Sequence, residues 1–190
     1  AGLNGQALMI DGKNQQYDAA MIEHADSATT KREWVIFVPG VASSWQHSAY
    51  RMKQIASQGF NVICANQRSV GTSPGHVLNT EDLLEPLEAC SRFLSKERGV
   101  EDSRKIGMGH SMGGGILIKS TSSKRTDDNF SAQNFKGIII DRSFTSFHKA
   151  SKEFGPFPLN LLLAKFVDNI FPLKSKDHWN KFKGRVINIC

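Results

Sequence analysis

Gly109-His110-Ser111-Met112-Gly113 is the stretch of this chain whose residue types and spacing best suit chemistry. A serine with glycine two positions to either side marks a nucleophile carried on a sharp strand-to-helix turn. Five positions with three fixed recur by chance, so the surroundings decide. Residues 105–108 read as a short strand, and 112–120 as a helix despite Gly113, Gly114 and Gly115. That is the context the turn requires. It predicts a positive φ at Ser111, with Gly109 and Gly113 admitting the close backbone approach and Gly114 and Gly115 letting the helix sit near the sheet. An ordinary helix N-cap serine is the alternative. A cap has no need of glycine on both sides, and it leaves the poor helix start unexplained. Ser111 is therefore the candidate nucleophile.

The elements that must position it follow from hydrophobic pattern. Residues 6–10 and 16–24 read as strands joined by Asp11-Gly12-Lys13-Asn14, a strong hairpin signal. Residues 34–38 (WVIFV) are continuously apolar and end at Pro39-Gly40, as in a strand covered on both faces. A helix over 46–58 with Gly59 as its stop leads to a buried strand at 60–65 and a loop at 66–79 rich in Gly, Ser, Asn and Pro. Thr80 starts a helix with Glu81 and Asp82 in its first turn and Leu83, Leu84, Leu87, Cys90 and Leu94 as its apolar stripe; Gly99 ends it. Residues 121–134 read as a polar, exposed connection, 137–140 as a strand closed by Asp141, 143–183 as irregular and helical pieces, and 186–189 as one more strand. The alternation predicts one α/β domain over 1–190, a mostly parallel central sheet flanked by helices with an N-terminal antiparallel hairpin.

Composition narrows the classes. Of 190 residues 39% are hydrophobic and 22% charged, which excludes a disordered tail and a membrane bundle. The longest apolar run, 159–167, is broken by Asn160 and Lys165 and falls short of the roughly 18–20 residues a membrane span needs; no transmembrane segment and no signal peptide are read. The net charge of +6 reads as a lysine-rich solvated surface. No nucleic-acid motif accompanies it, so no nucleic-acid partner is expected. Under the alternative reading, attraction to anionic lipid, Lys174, Lys176, Lys181 and Lys183 would be the place to look for a membrane-surface contact. Cys64, Cys90 and Cys190 form neither a disulfide framework nor, with histidine, a zinc spacing, so no metal is expected and the cytoplasm is the favoured compartment.

With the elbow in this setting, the chain resembles the α/β-hydrolase superfamily and is similar to its esterase, lipase, thioesterase and serine-aminopeptidase-like members. Val38-Pro39-Gly40-Val41 resembles the family's His-Gly segment, with Pro39 where histidine is usual. The segment 66–73 resembles D-x-R-G-x-G-x-S, with Asn66 and Ser69 where aspartate and glycine are usual, a departure expected to touch loop packing more than chemistry. Residues 179–189 resemble the approach to the family's seventh strand.

The resemblance implies a serine hydrolase of carboxylic esters, thioesters or amides, with no cofactor and a small-molecule acyl substrate. Ser111 forms an acyl-enzyme, and the backbone N–H groups of Met112 and Val41 form the oxyanion hole; Ser43 and Ser44 read as loop-solvating hydroxyls, with an added oxyanion hydroxyl as the alternative. Phe144, Phe147, Phe154, Phe157, Phe166 and Phe171 make 143–171 unusually apolar; this reads first as ordinary helix packing on the sheet, and alternatively as a lid or acyl-binding wall for a lipid substrate. In family order the acid and then the histidine follow the nucleophile, so both are expected beyond Cys190, with the last strands. Asp141 occupies a position that some members use for the acid. His148 and His178 read as surface residues, the His110 side chain should point away from Ser111, and His24, His47 and His76 precede the elbow. The alternative is a non-catalytic binding or interaction protein on the same fold.

Overall fold

Continuous apolar runs become strands because both faces of the sheet are covered. The computed structural model describes residues 2–25, 32–122, 132–143, 182 and 184–189. In chain order they form β1 (Leu3–Asp11), β2 (Gln16–His24), β3 (Trp34–Val38), α1 (Trp45–Ser57), β4 (Asn61–Ala65), α2 (Thr80–Arg98), β5 (Lys105–His110), α3 (Met112–Ser120), β6 (Gly137–Asp141) and β7 (Arg185–Ile189). The sheet order is β1-β2-β4-β3-β5-β6-β7. The hairpin β1–β2 joins β4 antiparallel, and β4 through β7 run parallel. The expected α/β architecture, with its hairpin, is present.

Successive residues of β3 serve opposite layers. Ile36 and Val38 join a core with Leu84, Leu87 and Leu94 of α2 and Ile116 and Leu117 of α3. Val35 and Phe37 join a second core with Met52 and Ala56 of α1. Each such side chain fully withdrawn from water contributes roughly 1.5–3 kcal/mol, which is why β3 and β4 show no alternation.

Local signals set the helix ends. Asn79 caps α2 through a capping box with Asp82, and Gly99 closes it in the left-handed region at φ 61°. Pro86 lies inside α2 and withholds one backbone donor; the buried stripe on either side carries the helix through it. The connection after α3 departs from expectation. Thr121 and Ala132 at its two ends are fully buried, and the Thr121 hydroxyl donates to the Ile118 carbonyl at 2.8 Å. Residues 123–131 lie outside the described residues, as do 144–181 with His148, His178, the phenylalanine-rich stretch and the basic residues near its end. Among the described residues, no helix is long and apolar enough to cross a membrane.

Candidate active site

β5 and α3 are joined by one residue, Ser111, whose backbone sits at φ 52° and ψ −121°. Its N–H donates to the Asp141 carbonyl at 3.0 Å, extending the β5–β6 ladder by one step, and its own carbonyl accepts from Gly114 N–H at 3.1 Å. It makes no side-chain capping bond to α3, so the N-cap alternative does not describe it. The neighbouring glycines are steric necessities. A Cβ on Gly113 would lie 2.0 Å from the Val38 carbonyl oxygen, and one on Gly109 would lie 2.5 Å from the Gly113 backbone.

The end of β3 forms the facing wall. Gly40 abuts the nucleophile so closely that a Cβ there would stand 3.3 Å from Ser111 Cβ and 3.7 Å from its Oγ. Ser43 N–H returns to the Gly40 carbonyl at 3.3 Å, and Ala42 has φ 53°. Residues 40–43 therefore make a tight turn that carries Val41, whose side chain is exposed. Met112 is the first residue of α3, where backbone N–H groups have no intrahelical partner and the helix dipole is positive. Both candidate oxyanion donors thus belong to the backbone on either side of Ser111. Ser44 does not solvate a loop: it is buried and caps α1, its Oγ accepting from His47 N–H at 3.4 Å and bonding His47 Nδ1 at 3.0 Å.

Two polar clusters brace these loops. Asp18 of β2 meets Trp45, Asn66 and Thr72 around the start of α1. Asn66 is fully buried, and it donates to Asp18 Oδ2 at 2.9 Å while accepting from Trp45 N–H at 2.7 Å. The amide at this position is thereby explained, since an aspartate would set a second carboxylate against Asp18. Ser69 occupies the left-handed region at φ 61°, where glycine would be unstrained. In the second cluster Glu85 accepts from Tyr17 Oη at 2.7 Å and from Lys13 N–H at 2.9 Å, and it pairs with Arg68. Burial works to raise the Glu85 carboxyl, but hydrogen bonds from Tyr17 and Arg68 hold it below its ordinary value.

Asp141 ends β6 beside the elbow. Its Oδ2 accepts from Arg51 Nη1 at 2.8 Å and faces His110 Nδ1 at 2.9 Å, and its Oδ1 accepts from Arg142 Nε at 3.1 Å. Burial works to raise its carboxyl, and hydrogen bonds from Arg142 and His110 bring it below the ordinary value. His110 therefore turns to Asp141. The other described histidines bond elsewhere: His24 to the Ala56 carbonyl, His47 to Ser44 and His76 to Ser69. No group of three or more His, Cys, Asp or Glu among the described residues is placed to hold a metal ion.

Two buried charges, Asp18 in the first cluster and Lys105 outside both, were not singled out from sequence. Asp18 carries a faint signal, a carboxylate inside the otherwise apolar strand pattern of 17–22. Lys105 carries none, yet it is fully buried, its Nζ bonded to Ser91, Ser95 and Asp102.

Comparison with known proteins agrees with this fold. A model of the family described as serine aminopeptidase, S33, matches residues 29–181. The multifunctional-autoprocessing repeats-in-toxin of Vibrio vulnificus is 29% identical over 152 residues, which are 78% of this chain and 3% of the toxin. The crystal structure of an α/β hydrolase (ABH) from Vibrio vulnificus superposes with a TM-score of 0.77 at 20% identity, covering 97% of this chain and 62% of that one. An esterase of Pyrococcus furiosus superposes with a TM-score of 0.70 at 18% identity, covering 98% and 70%. At these identities the two structures establish a shared fold. The chain thus spans a small fraction of the toxin and less than two thirds of the Vibrio hydrolase structure.

Proposed function

Because the chain belongs to the serine aminopeptidase S33 family of α/β hydrolases, we propose that it works as a serine hydrolase, cleaving a carboxylic ester, thioester or amide through an acyl-enzyme on Ser111. The observation that carries this reading is the Ser111 backbone, at φ 52° and ψ −121° with no side-chain capping bond. Holding a residue in a sparsely populated region costs about 1–3 kcal/mol and is a mark of functional turns.

In the proposed reaction a base takes the Oγ proton of Ser111 as that oxygen bonds to the substrate carbonyl carbon. The carbonyl π pair moves onto oxygen, and the N–H groups of Val41 and Met112 meet the resulting charge. One such donor is worth about 3–4 kcal/mol of barrier. Collapse of the intermediate expels the alkoxide, thiolate or amine, which takes the proton from the base. Water then repeats the sequence, releasing the carboxylic acid and restoring Ser111. The base is assigned to a histidine on a segment that follows β7, in the chain order of the fold. For the acid, a residue on that segment and Asp141 stand as the two candidates. Asp141 is supported by its Oδ1, which meets the exposed Arg142 and could accept an imidazole N–H in its place. The substrate is proposed to be a small acyl compound, with lipid esters as one class to screen.

The second reading is a binding protein on the same fold. One observation favours it: His24, His47, His76 and His110 are all bonded away from Ser111. Reaction of the full-length protein with a fluorophosphonate, followed by intact mass and with Ser111→Ala as control, separates the two. Screening of esters over chain length, and of thioesters, then addresses the substrate.

A further inference from the structure

Asp18 is a buried carboxylate in the middle of β2. Its Oδ1 accepts the Trp45 indole N–H at 2.8 Å. Its Oδ2 accepts from Asn66 Nδ2 at 2.9 Å, Thr72 N–H at 3.1 Å and Gln46 Nε2 at 3.4 Å. The side-chain Oδ1 of Asn66 in turn accepts the Trp45 backbone N–H at 2.7 Å. Trp45 is thus gripped twice, once through its ring and once through its backbone. The site is built around the charge: a Cβ on Gly71 would stand 2.4 Å from Asp18 Oδ2.

Trp45 opens α1 directly after the cap Ser44 and the turn 40–43. The upstream end of that turn is fixed by β3, which pairs with both β4 and β5. The downstream end has Trp45. Between these two anchors lies Val41, in a turn whose Gly40 abuts Ser111. A buried charge is weak evidence of stabilisation, because apolar replacements of similar volume are often neutral or better. What a carboxylate adds is direction: it accepts several donors at fixed angles and so sets where they stand.

We propose that Asp18 is a positioning residue for the oxyanion turn: by fixing Trp45 it holds the Val41 N–H in register with Ser111. This role rests on Ser111 being the nucleophile. It requires the carboxylate at position 18 and the amide at position 66. Asn66→Asp would set two carboxylates 2.9 Å apart.

The test uses the full-length protein. The rate of fluorophosphonate labelling at Ser111 is measured together with kcat and KM on an activated acyl ester, each per folded molecule by near-UV circular dichroism. Asn66→Asp is expected to slow labelling and kcat about tenfold or more with little change in KM, since small misplacements of an active group cost up to about a hundredfold. Trp45→Phe, which removes one donor and keeps the ring's bulk, is expected to fold and to lose about three- to tenfold in kcat at constant KM. The role is overturned if Asn66→Asp and Trp45→Phe label at the wild-type rate per folded molecule, or if the effect falls on KM alone. A wild type that takes no label overturns the serine reading itself, and this role with it.

Discussion

Asp141 holds Ser111 by its backbone, its carbonyl accepting the Ser111 N–H at 3.0 Å, while its carboxylate fixes the preceding residue, Oδ2 lying 2.9 Å from His110 Nδ1. The same carboxylate reaches Arg51 of α1, so one side chain ties the elbow to the helix that follows the oxyanion turn. Asp141→Asn should lower stability near neutral pH by about 1–3 kcal/mol, the range for a charged hydrogen-bonding group withdrawn from buried partners. The sign of its pH dependence follows from the lowered folded-state pKa. The stabilisation is fully present above the unfolded carboxyl pKa and is lost as pH falls through the folded one. In urea unfolding series, the gap between wild type and variant should be full at neutral pH and close below the ordinary carboxylate range. A gap of constant size into acid would contradict this assignment.

Two glycines should respond very differently to the same change. Gly113→Ala places a carbon 2.0 Å from the Val38 carbonyl oxygen, a backbone atom in the centre of the sheet. It is expected to cost more than about 3 kcal/mol or to prevent folding. Gly99→Ala meets nothing within 4 Å and suffers from φ 61° alone, so about 1–2 kcal/mol is expected. Thermal or denaturant melts of the two variants give the comparison directly, and equal losses would contradict the elbow packing described.

The oxyanion turn offers a clean deletion of one donor. Val41 stands second and left-handed Ala42 third in the turn closed by Ser43 N–H on the Gly40 carbonyl. That is the pattern of a type II turn, whose second position accepts proline. Val41→Pro should therefore fold normally while removing the N–H. Its kcat is expected to fall by about 10²–10³ with KM nearly unchanged. Unaltered kcat in a folded variant would remove Val41 from the oxyanion hole.

Glu85→Gln tests the bracing pair below the site. Glu85 is buried and pairs with Arg68, which keeps Asp82 as a second carboxylate partner at 3.2 Å. The expected loss is therefore about 1–3 kcal/mol, that of a charged hydrogen-bonding group withdrawn from buried partners. Glu85 also has a lowered folded-state pKa, so its contribution should be complete at neutral pH and fade as pH drops through the carboxylate range. Parallel denaturation of wild type and variant across that range is the measurement, and a neutral-pH loss below about 1 kcal/mol would contradict a structural role for the pair.

The strands, the helices and the elbow were legible in the sequence because each is a local pattern. The runs at 34–38 and 62–65 are apolar throughout, the spacing of Leu83, Leu87, Cys90 and Leu94 is helical, and glycine recurs where the backbone is crowded. The bracing charges were not legible. Lys105 looks like a surface lysine until Ser91, Ser95 and Asp102 are brought to it, and Asp18 needs Trp45 from the start of α1 and Asn66 and Thr72 from the loop after β4. Such partners are set by the fold and leave no periodicity behind. Ser44 had a local signal, a serine ahead of the helix pattern that begins at 46, and capping chemistry would have found it.

The central claim is that Ser111 is an activated nucleophile. Its most direct test is intact mass of the full-length protein after exposure to a fluorophosphonate, beside Ser111→Ala. A single adduct on the wild type, absent from the variant and mapped by peptide mass to Ser111, is the predicted result. A folded wild type with no adduct would contradict the hydrolase account and leave the binding protein in its place.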